Sequence, residues 1–178
     1  MFLHYLNRKE NKDKTKAKIF YKDLILIAKN ILSKNNIFLK KEDFNVSIEI
    51  LSILLVVVIN VFNKNSNKSS KKISQYLINL FIEDLDNTFR MIGISDMKVG
   101  KYVKTYVKKF YFRVIKFDII LKDLNHKEWK LFFYENNIYL KSEFESIFIN
   151  ALFFTVKKII NNTKKREIND LSLLDIVN

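Results

Sequence analysis

Apolar residues recur at helical spacing along most of the chain, with polar residues between them. Phe20, Leu24, Ile27, Ala28, Ile31 and Leu32 fall on one face, which predicts a first helix over about Ala17–Ser33. Asp43 is a suitable N-cap for a second helix reaching Phe62. That helix is apolar nearly all round, as a central helix should be. Residues 63–72, "NKNSNKSSKK", read as a polar, mobile connection within one domain. A third helix over about Ser74–Ile92 aligns Leu77, Phe81, Leu85, Phe89 and Ile92. A fourth, over about Val99–Asp123, aligns Tyr102, Val103, Tyr106, Phe110, Val114, Phe117 and Leu121. A fifth opens at "NHKEW", where Asn125 and Glu128 have capping-box spacing. "SEFE" at 142–145 caps a sixth that ends near Ile160. The final "LSLLDIVN" adds a docked turn.

The chain has no proline and two glycines, so other residues must end the helices. Asn tolerates the left-handed conformation next best, and Asn pairs at 35–36, 136–137 and 161–162 each follow an apolar-periodic run. The β-branched run "LLVVVINVF" lacks the hairpin dipeptides and regular turns of a sheet protein. The pattern therefore predicts an all-α, single-domain bundle of about six helices without significant sheet. A basic, flexible segment over 1–16 precedes a helical domain over 17–178. There is no internal repeat.

Both glycines lie in "RMIGISDMKVGK", 90–101. Gly93 directly follows an amphipathic helix and is placed as its C′ residue, with Ile94 folding back onto the apolar face. Ser95 or Asp96 then caps the fourth helix. Gly100 falls in that helix's first turn, where it costs about 1 kcal/mol relative to Ala. A glycine there calls for close approach, either by a neighbouring helix or by a partner.

Lys and Arg outnumber Asp and Glu by 32 to 19, a formal charge of +13. Such a balance favours anionic partners: RNA, a ribosome or a phospholipid surface. Lys, Asn, Ile and Phe are all over-used, as they are under AT-rich codons, so part of the excess is compositional drift. Lys98, Lys101, Lys104, Lys108, Lys109, Arg113 and Lys116 cluster on the fourth helix. Lys101, Lys104 and Lys108 form one stripe. Glu83, Asp84 and Asp86 on the preceding helix could pair with some of them. Without Cys, the chain has no disulfide framework, thiolate site or cysteine nucleophile. "MFLHYLNRKENKDK" is not a secretory signal, since charges follow its short apolar start at once. The run 50–62 is about thirteen residues, short of the roughly 20 that span a bilayer, and reads as a buried core helix.

The stretch "DLDNTFRMIGISDMKVGKYVKTYVKKFYFRV", 84–114, carries a pattern of its own. Asp84, Asp86, Thr88, Arg90, Gly93, Asp96, Val99, Gly100 and Lys101, then Phe110, Tyr111 and Arg113, fall in order and without a gap. The segment resembles the signature of the ubiquinol–cytochrome c chaperone family, assembly factors for the cytochrome bc1 complex. "ENNIY", 135–139, resembles a further family element. The chain departs from the family at "NNIFLKKEDF", which lacks the usual Gly-Val-Pro-Asp-Thr turn, and at Phe112, which stands in place of a glycine. The resemblance implies an all-α chaperone that binds newly made cytochrome b and promotes its assembly into complex III. It implies work at the cytoplasmic side of a bacterial inner membrane, or in the mitochondrial matrix. It also implies possible contact with the ribosome, an anionic membrane face and a second small assembly factor.

Enzymatic chemistry has little foothold. His4 and His126 lack the i, i+4 partner of a helical metal site. "GISDMKVGK" lacks the strand context and the ending of a phosphate loop. Asp84 and Asp86 diverge by about 200° on a helix, a poor acid–base pair. No catalytic residue, cofactor or metal is expected. The expected partner surface comprises Asp84, Asp86, Arg90, Gly93, Asp96, Gly100, Lys101, Lys104, Lys108, Tyr111 and Arg113. Its competitor is a basic helical RNA- or ribosome-binding protein unrelated to respiration, which rests on charge alone.

Overall fold

A computed structural model describes residues 2–33, 44–64, 68–123, 126–135, 150 and 154–158. Five helices follow in order: α1 (Phe2–Ser33), α2 (Phe44–Lys64), α3 (Lys68–Met91), α4 (Asp96–Asp123) and α5 (His126–Glu135). Residues 154–158 are also helical, within the span expected for a sixth helix. There is no strand among the described residues. The fold is an all-α bundle, as the pattern predicts.

α2 is the centre. Ile50, Ile53, Leu54, Leu55, Val57 and Phe62 are buried, on positions that go round the whole helix. Such a helix cannot rest against one neighbour, and α1, α3 and α4 all pack on it. α1 also packs on α3, and α3 on α4. On α3 the buried residues Ile73, Leu77, Phe81, Leu85 and Phe89 repeat every fourth position. Aromatic edges close the seams. Phe20 meets Phe62 at 5.4 Å, Phe81 meets Phe110 at 5.1 Å, and Phe89 meets Tyr106 at 5.2 Å. Phe117 of α4 packs on Trp129 and Phe132 of α5, at 5.2 and 4.7 Å. Each such pair adds about 0.5–1.5 kcal/mol beyond its buried area.

The structure corrects several boundaries. α1 starts at Phe2, not near Ala17, so the expected flexible segment over 1–16 is helical from its second residue. A tertiary contact holds this extension. Asp13 is buried, and its Oδ1 accepts a hydrogen bond from the Ser69 hydroxyl at 2.5 Å. The expected loop over 63–72 shrinks, because α2 runs to Lys64 and α3 starts at Lys68. α3 therefore begins six residues before the expected Ser74, with Ser70 and Ile73 buried. α4 begins at Asp96, ahead of Val99. Ile92 is exposed rather than on the core face of α3, and Tyr102 is half-exposed.

α2 is 21 residues, long and apolar enough to cross a membrane by length and composition. The shortness argument therefore fails. Burial places the helix instead, since 72% of its most apolar window lies inside the bundle. The described parts of α1 and α5 reach Ser33 and Glu135. The Asn pairs, the first inter-helix segment, Asn125, most of the expected sixth helix, 136–139 and the C-terminal turn lie outside the described residues.

Candidate functional site

The turn from α3 into α4 is built as its two functions require. Gly93 has φ of 88°, a left-handed value that a side chain would strain. Its N–H donates to the Arg90 carbonyl, and the Ile94 N–H donates to the Phe89 carbonyl, both at 3.0 Å. These are the paired bonds that close a helix on glycine. Ile94 packs against the core. The Ser95 carbonyl then accepts from the N–H groups of Lys98 and Val99, which starts α4.

Arg90 straps the corner from outside. It binds Asp86, one turn earlier, at 2.6 Å and reaches across the turn to Asp96. Of the acidic residues expected to pair with lysines of α4, Asp86 instead meets Arg90. Asp84 accepts a hydrogen bond from the Tyr21 hydroxyl at 2.9 Å and so ties α3 to α1. Burial, then the charge and hydrogen bond of Asp84, raise the Tyr21 hydroxyl far above the usual phenol range. The Asp86 hydrogen bond, followed by its charge, likewise raises the Arg90 guanidinium.

Gly100 is exposed, and a Cβ built there would meet nothing within 4 Å. Tight packing within the bundle is therefore not its reason. Lys101, Lys104 and Lys108 stand exposed along α4, with no ion pair to any described residue. Tyr111 is half-exposed, its ring 5.7 Å from that of Phe110.

Arg113 does not belong to this surface. It is buried at 5% exposure and ion-pairs with Glu49 of α2. Its place was visible in the spacing. It lies three residues after Phe110 and four before Phe117, both buried, and so on the core face. Glu49, the one carboxylate of α2, is the partner that sequence reasoning missed. Burial pushes its carboxyl up, against the charge and hydrogen bond of Arg113 and the charge of Lys109. The second oxygen of Glu49, Oε2, and the Arg113 Nε are buried without a hydrogen-bond partner among the described residues. A Tyr106–Asn45 hydrogen bond adds a second polar link between α4 and α2.

Also unforeseen is the apolar exposure of the corner. Met91 is 86% exposed and Met97 97%, with Ile92 between them. Their signal was their placement at the close of α3, in the turn and at the opening of α4, where a helix has little neighbouring surface to bury them. Among the described residues, no three His, Cys, Asp or Glu side chains group as a metal site.

The expected surface thus divides. Asp86, Arg90, Gly93 and Asp96 build the corner. Gly100, Lys101, Lys104, Lys108 and Tyr111 are open beside it. Asp84 and Arg113 face other helices. The fold is thus a helical bundle with an open, basic, apolar-tipped corner. The profile of the ubiquinol–cytochrome C chaperone family matches residues 41–130, which take in α2 to the start of α5. The chain belongs to that family, whose members are chaperones of cytochrome bc1 complex assembly. The crystal structure of the Cbp3 homolog from Brucella abortus has the same fold. The TM-score is 0.75 at 19% identity, covering 99% of this chain and 98% of that one. No curated protein sequence matches the chain.

Proposed function

We propose that this chaperone holds newly made cytochrome b at the α3–α4 corner while the bc1 complex assembles. The observation that carries the reading is the open corner itself. Met91, Ile92 and Met97 offer flexible apolar contacts, and Met side chains adapt to irregular partners. Gly100 leaves space for a client backbone to approach. Lys101, Lys104 and Lys108, with Tyr111 beyond them, lie next to that space and suit acidic or phosphate groups. Arg113 takes no part, since Glu49 occupies it. The protein acts by binding and carries out no reaction of its own.

The same reading places the protein at the inner face of a bacterial inner membrane, or of the mitochondrial inner membrane on the matrix side. The ribosome and a second small assembly factor are further partners in it. The test is deletion of the gene in its host, with haem absorbance spectra of the membranes. Loss of assembled cytochrome b is expected, and a normal cytochrome b level refutes the reading.

One observation favours a second reading. The exposed lysine stripe would also suit ribosomal RNA without any tie to respiration. Crosslinked pull-downs separate the two. Cytochrome b in the eluate supports the first reading. Ribosomal RNA alone, released steeply by salt, supports the second.

A further inference from the structure

α4 is amphipathic twice over. Its inner face carries Val99, Phe110, Arg113 and Phe117, all buried. Its outer face carries Lys101, Lys104, Lys108, Tyr111, Phe112 and Ile115, all exposed. At 100° per residue these six fall within an arc of about 100°, along about 21 Å of helix. Ile115 is 69% exposed and Phe112 54%. The Lys116 ammonium lies 5.9 Å from the Phe112 ring centre, beside the same arc. From Met97 to Phe117 the sequence has no acidic residue.

We propose that this outer face is laid on an anionic phospholipid surface, with Phe112 and Ile115 entering the interface and Lys101, Lys104 and Lys108 contacting lipid phosphates. The inference rests on the membrane-side location in the reading above and names what holds the protein there. Three observations select a bilayer over the alternatives. The face lies along one continuous helix, so it suits an extended surface. Its cations have no acidic neighbour on the stripe, so they complement an anionic surface. Its apolar members include an aliphatic side chain, Ile115. Nucleic acid offers aromatic stacking and phosphate but no place to bury isoleucine, whereas the acyl boundary does. Long lysine stems can lie along that boundary with their ammonium groups at the phosphate level.

The test uses the full chain and large unilamellar vesicles of phosphatidylcholine, with or without about 30% phosphatidylglycerol, at about 0.1 M salt. Co-sedimentation with the anionic vesicles and not the neutral ones is expected. Lys101→Gln/Lys104→Gln/Lys108→Gln should weaken it on the order of 100-fold, at about fivefold per lysine. Phe112→Ser/Ile115→Ser keeps the charge and should weaken it about tenfold or more. Every substituted side chain is exposed, and circular dichroism checks that each variant is folded. In Ile115→Trp, the new indole should be quenched by brominated lipid, while buried Trp129 provides the unquenched background.

Failure to sediment with anionic vesicles overturns the inference. So does wild-type binding by Phe112→Ser/Ile115→Ser, or an unquenched Ile115→Trp. Binding of polyuridylate that needs the three lysines, without vesicle binding, assigns the face to nucleic acid and also overturns it. The outcomes stay separable from those of the preceding reading. Normal cytochrome b in the deletion strain with intact vesicle binding sinks only the reading. Lost cytochrome b with no vesicle binding sinks only the inference.

Discussion

Replacing Arg113 by Met probes the interior of the bundle most sharply. The guanidinium is buried and bound to Glu49, itself almost wholly covered. Met fills most of the arginine's volume, so the lost charge dominates over a cavity. A buried carboxylate stripped of its partner costs about 3–5 kcal/mol. Against a total stability of about 5–15 kcal/mol for a domain, that is a large fraction. Replacing both partners, as Glu49→Leu/Arg113→Met, removes the stranded charge and should restore most of the loss. Urea unfolding followed by circular dichroism measures both. The effect of pH supplies an independent check. Burial already raises the Glu49 carboxyl, and Arg113 is the chief opposing influence. Without Arg113 the folded-state value climbs further above that of the unfolded chain. The folded state then favours the protonated form. Its penalty is absent below the unfolded value and grows as pH rises through the folded one. The deficit of Arg113→Met, measured against the double variant, should therefore shrink as pH falls from about 8 to about 5. A loss under about 1 kcal/mol, a pH-independent deficit, or a double variant as weak as the single would refute the reasoning.

The two glycines should respond oppositely to alanine. Gly93→Ala forces a side chain onto φ of 88° and should cost about 1–2 kcal/mol by thermal melting. Gly100→Ala meets no atom within 4 Å and should stabilise α4 by up to about 1 kcal/mol, while lowering cytochrome b in cells if the client approaches there. Tyr21→Phe removes the hydroxyl that Asp84 accepts from and should cost about 1–2 kcal/mol in urea unfolding. Asp13→Ala removes the acceptor of the Ser69 hydroxyl; about 1 kcal/mol should be lost, with faster amide exchange in the first half of α1.

Where one periodic face decides an element, the sequence was legible. The every-fourth-residue series from Leu77 to Phe89 placed α3, and Gly93 marked its end. The extension of α1 before Ala17 was not legible, because its anchor is a contact between Asp13 and Ser69, 56 residues apart. Local periodicity carries no record of such a pairing. Arg113 misled through its charge, since an isolated arginine in a lysine-rich run looks like surface until its phase against Phe110 and Phe117 is counted. For Gly100 the spacing allowed either a packed neighbour or open space. Only the placement of the surrounding helices could decide that. The lysine stripe was legible because three exposed like charges on one helix face need no tertiary information.

The central helix has a consequence for how the chain is made. Glu49 precedes Arg113 by 64 positions. At roughly 5–20 residues per second, its counter-ion follows about 3–13 s later during translation. In that interval a 21-residue apolar rod, with only α1 already made, emerges looking like something destined for the bilayer. A lone carboxylate near its leading end raises the cost of placing that rod in lipid. Arg113 later supplies the charge that pairs with it inside the bundle.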